Sequence, residues 1–217
     1  MVKYYCVVGT DGVGKSTLLD SLDSKKYHVR HAGNDFILHN IIKNKLQSKK
    51  SKHSKKNMRD FTTYKPGYKK KKSSLYHLLA NCALWMEFSL TFLYREVLYG
   101  GKTTLVMDRS PFDLLVLNRR TPNKTLEKFL IAFLIKPQRV FILKDDYETI
   151  FKRKNQRTIQ EMKEYYDRIE GILKRNNIKY TIVDVGGGIK KTQTLFKSLL
   201  QKENKKDTKK SKRGNKK

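Results

Sequence analysis

Cysteine is scarce. The 217 residues hold two, Cys6 and Cys82, both inside apolar stretches. That excludes a disulfide framework and leaves no thiol set for a zinc site, so both read as reduced core residues. Long uninterrupted apolar runs are also missing. The most apolar stretch, 75–99, carries His77, Asn81, Glu87, Arg95 and Glu96, which argues against a membrane span. The first residues lead straight into "VKYYCVVG", which suits a strand better than the apolar core of a cleavable leader. These features point to a cytoplasmic protein with no membrane segment. There is no internal repeat, and 217 residues suit one sizeable core rather than two full domains.

Acidic residues are few: 20 stand against 49 Lys and Arg, for a formal charge of +29. The excess is uneven. Residues 43–72 hold thirteen basic residues and one acid, and 202–217 hold nine basic and two acidic, leaving +10 for the rest. Runs of like charge repel themselves and stay unfolded. The expected organisation is therefore one domain over 1–201, a basic flexible insertion at about 47–72, and a Lys-rich disordered tail over 202–217. Both basic segments suit weak contact with nucleic-acid phosphates. Only Phe61, Tyr64 and Tyr68 interleave them with aromatics, so solvated, solubilising segments remain the plainer reading.

Short β-rich segments at 3–9, 27–33, 103–108, 139–146 and 179–185 alternate with helical patterns. Helices are expected from Lys15 to about 22, over 35–46, over 74–99 before Gly100-Gly101, and over 125–135 before Pro137. Two more follow between 147 and 177, and a last one runs over 188–201. Five strands alternating with helices imply an α/β fold, a parallel sheet covered on both faces.

Directly behind the first apolar run stands "GTDGVGKST", residues 9–17. Gly9, Gly14, Lys15 and Ser16 meet every fixed position of G-x-x-x-x-G-K-[ST], the P-loop of nucleotide-binding proteins. Glycines let the loop curl so that successive amides point at phosphate oxygens, and the following helix adds the positive end of its dipole. The expected phosphate cradle is Gly9, Thr10, Asp11, Gly12, Val13, Gly14, Lys15, Ser16 and Thr17. Lys15 reaches the β- and γ-phosphates of ATP, and the Ser16 hydroxyl ligates Mg²⁺. A metal of this kind also needs a carboxylate at the end of another buried strand, and "TLVMD" offers Asp108. Its plainer role is a helix cap before "PFDLL".

With these motifs in place, the chain resembles the thymidylate kinase family over roughly residues 2–200. "GTDGVGKST" looks like that family's loop, with its acid at Asp11, and "DRS" at 108–110 resembles the Asp-Arg-Tyr element. It looks closer still to the divergent thymidylate-kinase-like proteins found beside polysaccharide genes, whose acceptor is unsettled. These share "VxxRxxG", a long helix ending in "GG", and "DR-x-x-x-DLL" followed by "RR"; here "DRSPFDLLVLNRR" stands at 108–120. The resemblance implies a P-loop NTPase three-layer sandwich of nucleoside-monophosphate-kinase type, using ATP and Mg²⁺ to phosphorylate a nucleotide or related small acceptor. It implies acceptor-binding arginines at Arg30 and Arg109, and lid residues Arg153, Lys154 and Arg157. It also implies a catalytic set of Lys15, Asp11 and Arg109, with Asp11 on an acceptor hydroxyl. Plainer roles stand beside these: a surface ion pair for Arg30, a solvated helix face for 152–157, loop bracing for Asp11, and helix packing for Tyr165, Tyr166 and Trp85.

Alternatives stay open. The basic segments suit a nucleic-acid-associated protein such as a polynucleotide end kinase. "DRS" also resembles deoxynucleoside kinases, although "HVRHAGND" lacks the glutamate they use as base. A binding module that has lost transfer fits poorly with an intact set of Lys15, Ser16, Asp108 and Arg109. The residues leave a homodimer open. The chain departs from thymidylate kinases at Ser110, where the family has tyrosine, and at Leu84, where the family's base-reading arginine stands. Hydrogen-bonded recognition of a base edge discriminates steeply, because an unmatched buried polar group costs about 1–3 kcal/mol. Steady-state kinetics over a panel of acceptors should therefore give thymidine monophosphate a kcat/KM within about tenfold of another pyrimidine monophosphate, or below that of a non-nucleotide acceptor. A preference of about a thousandfold for thymidine monophosphate would show that another residue has replaced the arginine.

Overall fold

Tyr4–Val8 (β1) is buried along its whole length, as a strand flanked by neighbours and covered on both faces must be. The structure, a computed structural model, describes residues 4–31, 104–108, 111–117, 127–128, 131–132 and 135–214, with backbone alone at 31, 111, 114, 117 and 205–214. The expected helices over 35–46 and 74–99, the basic insertion at 47–72 and Cys82 lie outside the described residues. After β1 come α1 (Lys15–Leu19), β2 (Tyr27–His31), β3 (Thr104–Asp108) and α2 (Pro111–Leu117). Then follow β4 (Arg139–Lys144), α3 (Tyr147–Arg153), α4 (Ile159–Arg175), β5 (Tyr180–Asp184) and α5 (Ile189–Gly214).

The five strands form one parallel sheet in the order β2-β3-β1-β4-β5. Alternate residues of β1 face opposite sides, so it feeds two cores. Tyr4, Cys6 and Val8 pack with Phe112 and Leu115 of α2 and with Tyr166, Ile169 and Leu173 of α4. Tyr5 and Val7 pack with Leu18 and Leu19 of α1 and with Phe196 and Leu200 of α5. This is the three-layer P-loop NTPase sandwich of nucleoside-monophosphate-kinase type. Cys6 lies fully buried in the first core as a free thiol. Burial, with the Asp113 carboxylate adding to it, pushes that thiol up from its ordinary pKa.

Local chemistry sets the helix starts. Asp146 caps α3 by accepting the Thr149 amide at 3.0 Å, and Thr158 and Glu161 form a reciprocal capping box on α4. At α1 the regular helix stops at Leu19, short of the expected 22, and the Ser21 hydroxyl donates to the Leu18 carbonyl at 2.7 Å.

The closing helix departs from expectation at its other end. The sequence places its last residue at Gln201, whereas α5 continues to Gly214. Two contacts hold the continuation. Glu203 pairs with Arg139 at 3.2 Å, and Asn204 accepts the Tyr5 hydroxyl at 3.0 Å. Once a helix is anchored, each further residue adds a hydrogen bond, and lysine is a good helix former. A chain ending at Asn204 should melt within about 2 °C of the full chain, because 205–217 contain no apolar residue to bury. Ending it at Gln201 removes a half-buried ion pair and a hydrogen bond, worth about 1 kcal/mol, and should lower the melting temperature by about 2–4 °C. Scanning calorimetry on the two truncations separates them, and identical melting would show that the Glu203 and Asn204 contacts contribute nothing.

Candidate phosphate-binding site

β1 ends at Val8 and the chain turns into the glycine loop. Gly12 (φ +93) and Gly14 (φ +90) both occupy the left-handed region, where a Cβ would be strained. Gly9 is tightly hemmed in: a Cβ there would lie 3.0 Å from the Leu143 carbonyl and from Val13 Cγ1, so these would have to give way. Gly14 then caps α1 without any side-chain bond to the helix.

Lys15, the first residue of α1, is only 7% exposed. A buried ammonium is costly unless acceptors meet it. Its Nζ donates to the Gly9 carbonyl at 2.7 Å and the Thr10 carbonyl at 2.9 Å, with Asp11 Oδ1 at 4.0 Å. Ser16 and Thr17 follow on the exposed side of the turn. Asp108 ends β3 with 8% exposure, and the β1–β3 register sets it beside Val7, one strand over from the start of the loop. β3 and β4 flank β1 on opposite sides, so the loop opens at the carboxyl edge of the sheet, where open α/β folds bind ligands. The donor set is a buried cation, glycine-loop amides, an exposed hydroxyl and a carboxylate. That chemistry fits a polyphosphate carrying a hard divalent cation.

A sequence profile described as an AAA domain matches residues 4–190. The chain belongs to the AAA domain family. No curated protein matches it in sequence. Among solved structures, thymidylate kinase from Candida albicans superposes with a TM-score of 0.61 at 18% identity, over 94% of this chain and 92% of that one. Thymidylate kinase from Ehrlichia chaffeensis gives 0.55 at 15%, over 92% and 98%. Deoxyadenosine kinase from M. mycoides gives 0.54 at 14%, over 92% and 99%. At these identities the likeness is one of fold.

Arg30 of the AAA domain is half-buried near the carboxyl end of β2, in register with Met107. Met107 packs in the α2/α4 core, so strand alternation puts Arg30 on that face and Asp108 on the other. The three expected lid residues sit in different surroundings. Arg153, half-exposed in the last turn of α3, pairs with the buried Asp145 carboxylate at 2.8 Å. Lys154 lies against the glycine loop, its Cβ 3.0 Å from where a Cβ on Gly12 would stand. Arg157 stacks its guanidinium 5.5 Å from the centroid of the Tyr165 ring. Arg109, Ser110, Leu84 and Trp85 lie outside the described residues.

Sequence reasoning left two tyrosines as helix packing, and both are buried. Tyr165 also donates its hydroxyl to Asp113, and Tyr166 bonds the loop itself at Thr10. Nothing in "EYYDR" marks which hydroxyl meets which partner. Gly12 shows how tightly the loop is hemmed in. Gly12→Ala forces a left-handed alanine against Lys154, at a cost of about 1–2 kcal/mol. Fluorescent-nucleotide titration should show affinity falling at least about tenfold, with a melting point a few degrees lower; unchanged affinity would mean the loop opens freely at this point.

Proposed function

We propose that this chain is an ATP-dependent phosphotransferase, moving the γ-phosphoryl of ATP to a nucleotide of the thymidine monophosphate type or a related small acceptor. The observation that carries this reading is the Lys15 ammonium, buried at the mouth of the glycine loop and held there by the Gly9 and Thr10 carbonyls.

Phosphoryl transfer needs alignment and cancellation of charge more than covalent help from the protein. In this reading Lys15 meets the β- and γ-phosphates. Ser16 and Asp108 would hold Mg²⁺. When bound, Mg²⁺ would offset negative charge on the polyphosphate. Arg109 and Arg30 hold the anionic group of the acceptor. Arg153 and Arg157 close over the phosphates and exclude water. Releasing Arg153 leaves the buried Asp145 carboxylate without this cation, a cost that the new phosphate contacts must offset. Asp11 accepts the acceptor's proton if that acceptor is a hydroxyl; a phosphate acceptor needs no base.

The test is radiolabelled ATP with nucleosides, nucleoside monophosphates, sugars and oligonucleotides. Label moving to a monophosphate or small hydroxyl compound supports the proposal. Label moving only to oligonucleotide ends identifies the polynucleotide kinase alternative instead. In the active assay, Lys15→Ala should reduce turnover below about a thousandth and weaken ATP binding, because the β/γ charge loses its loop cation. Unchanged turnover would end the reading of this loop as the phosphate site.

A further inference from the structure

Helix α4 crosses the sheet behind the glycine loop, and Tyr166 projects from it with no exposed surface. A phenol oxygen has one proton to give and two lone pairs to receive. All three are engaged here. The hydroxyl donates to the Leu143 carbonyl of β4 at 2.8 Å. It receives the Thr10 amide at 3.3 Å, and Thr10 Oγ1 lies 3.2 Å away. Thr10 is itself 2% exposed, so water does not substitute readily for these bonds.

The same few atoms surround the lysine. Gly9 packs against the Leu143 carbonyl that Tyr166 bonds, and the Gly9 and Thr10 carbonyls hold Lys15 Nζ. Three partners meeting at one oxygen therefore set where the Gly9–Thr10 peptide lies, and that peptide sets where the ammonium lies. We propose that Tyr166 is a positioning residue of the phosphate site: its hydroxyl ties the Gly9–Thr10 segment to β4 and so fixes the carbonyls that aim Lys15. This rests on the reading of the loop as a nucleotide site. Burial pushes the Tyr166 phenol up to about 12, so it keeps its proton across the working pH range and the donation to Leu143 persists.

The ring has a separate packing role, edge-on to Tyr165 at 5.2 Å, near Tyr147 at 6.1 Å and under Lys144 at 5.2 Å. Tyr166→Phe keeps the ring and removes only the tie. A hydroxyl that merely stabilised the core would lower the melting temperature and leave ligand affinity, measured well below it, untouched. Calorimetric titration of the full chain with Mg·ADP should instead show Kd rising about three- to tenfold in Tyr166→Phe. The Lys15 side-chain carbon resonance of the ligand-free protein, labelled with ¹³C lysine, should shift as well. A Kd within twofold of wild type, with Lys15 unmoved, overturns the tie. Should Tyr166→Phe fail to fold, Thr10→Val deletes one partner and leaves the phenol–Leu143 bond in place. It should raise Kd about threefold and shift Lys15, and no change in either overturns the proposal. Wild-type protein that binds no Mg·ADP would remove the nucleotide reading itself. In that event the ligand-free Lys15 signal still decides whether Tyr166 aims the lysine.

Discussion

A lysine ammonium taken out of water must be met by acceptors, and Lys15 is met by two main-chain carbonyls of its own loop. The rest of the site depends on that arrangement. The carbonyls belong to Gly9 and Thr10, which follow directly on β1, and β1 is immobilised between β3 and β4 with a core on each face. The rigidity of the central strand is thereby passed to the charge that a phosphate would meet. The exposed Ser16 and the carboxylate of Asp108, one strand over, are placed by the same framework.

The loop is also enclosed from the side of α3 and α4. Lys154, just past the end of α3, lies close against Gly12, where a Cβ would be tightly crowded. Tyr166 joins the loop to β4, while Tyr165 joins α4 to α2 through Asp113. Its ring also carries the guanidinium of Arg157. The segment between α3 and α4 is exposed over 154–156, yet two of its residues touch this framework. It begins with Lys154 against the phosphate loop and includes Arg157 on the ring of Tyr165. The Arg153–Asp145 ion pair adjoins this assembly, its carboxylate buried and its guanidinium half-exposed.

Much of this was legible from short-range pattern. Each of the five strands lies within a β-rich segment of the sequence, and the three inner ones, β3, β1 and β4, are buried along most of their length, as strands covered on both faces must be. Gly9, Gly14, Lys15 and Ser16 were readable because the spacing itself encodes the turn. The end of α5 was not readable, since its continuation past Gln201 is tied by Glu203 to Arg139 and by Asn204 to Tyr5, across most of the chain. Nor was the early stop of α1, where the Ser21 and Leu22 amides bond three residues back and the Ser21 hydroxyl also donates to the Leu18 carbonyl.

By itself, then, the sequence determined that strands and helices alternate, where the phosphate loop lies, and which residue types it presents. Those features depend on neighbours along the chain. The tertiary structure decided the strand order and the placing of Asp108 beside β1. It also decided the choice of Tyr166 over Tyr165 as the loop's partner, and the separate surroundings of Arg153, Lys154 and Arg157. Adjacent tyrosines on a helix project about 100° apart, and only the elements packed around α4 determine which hydroxyl meets Thr10 and which meets Asp113.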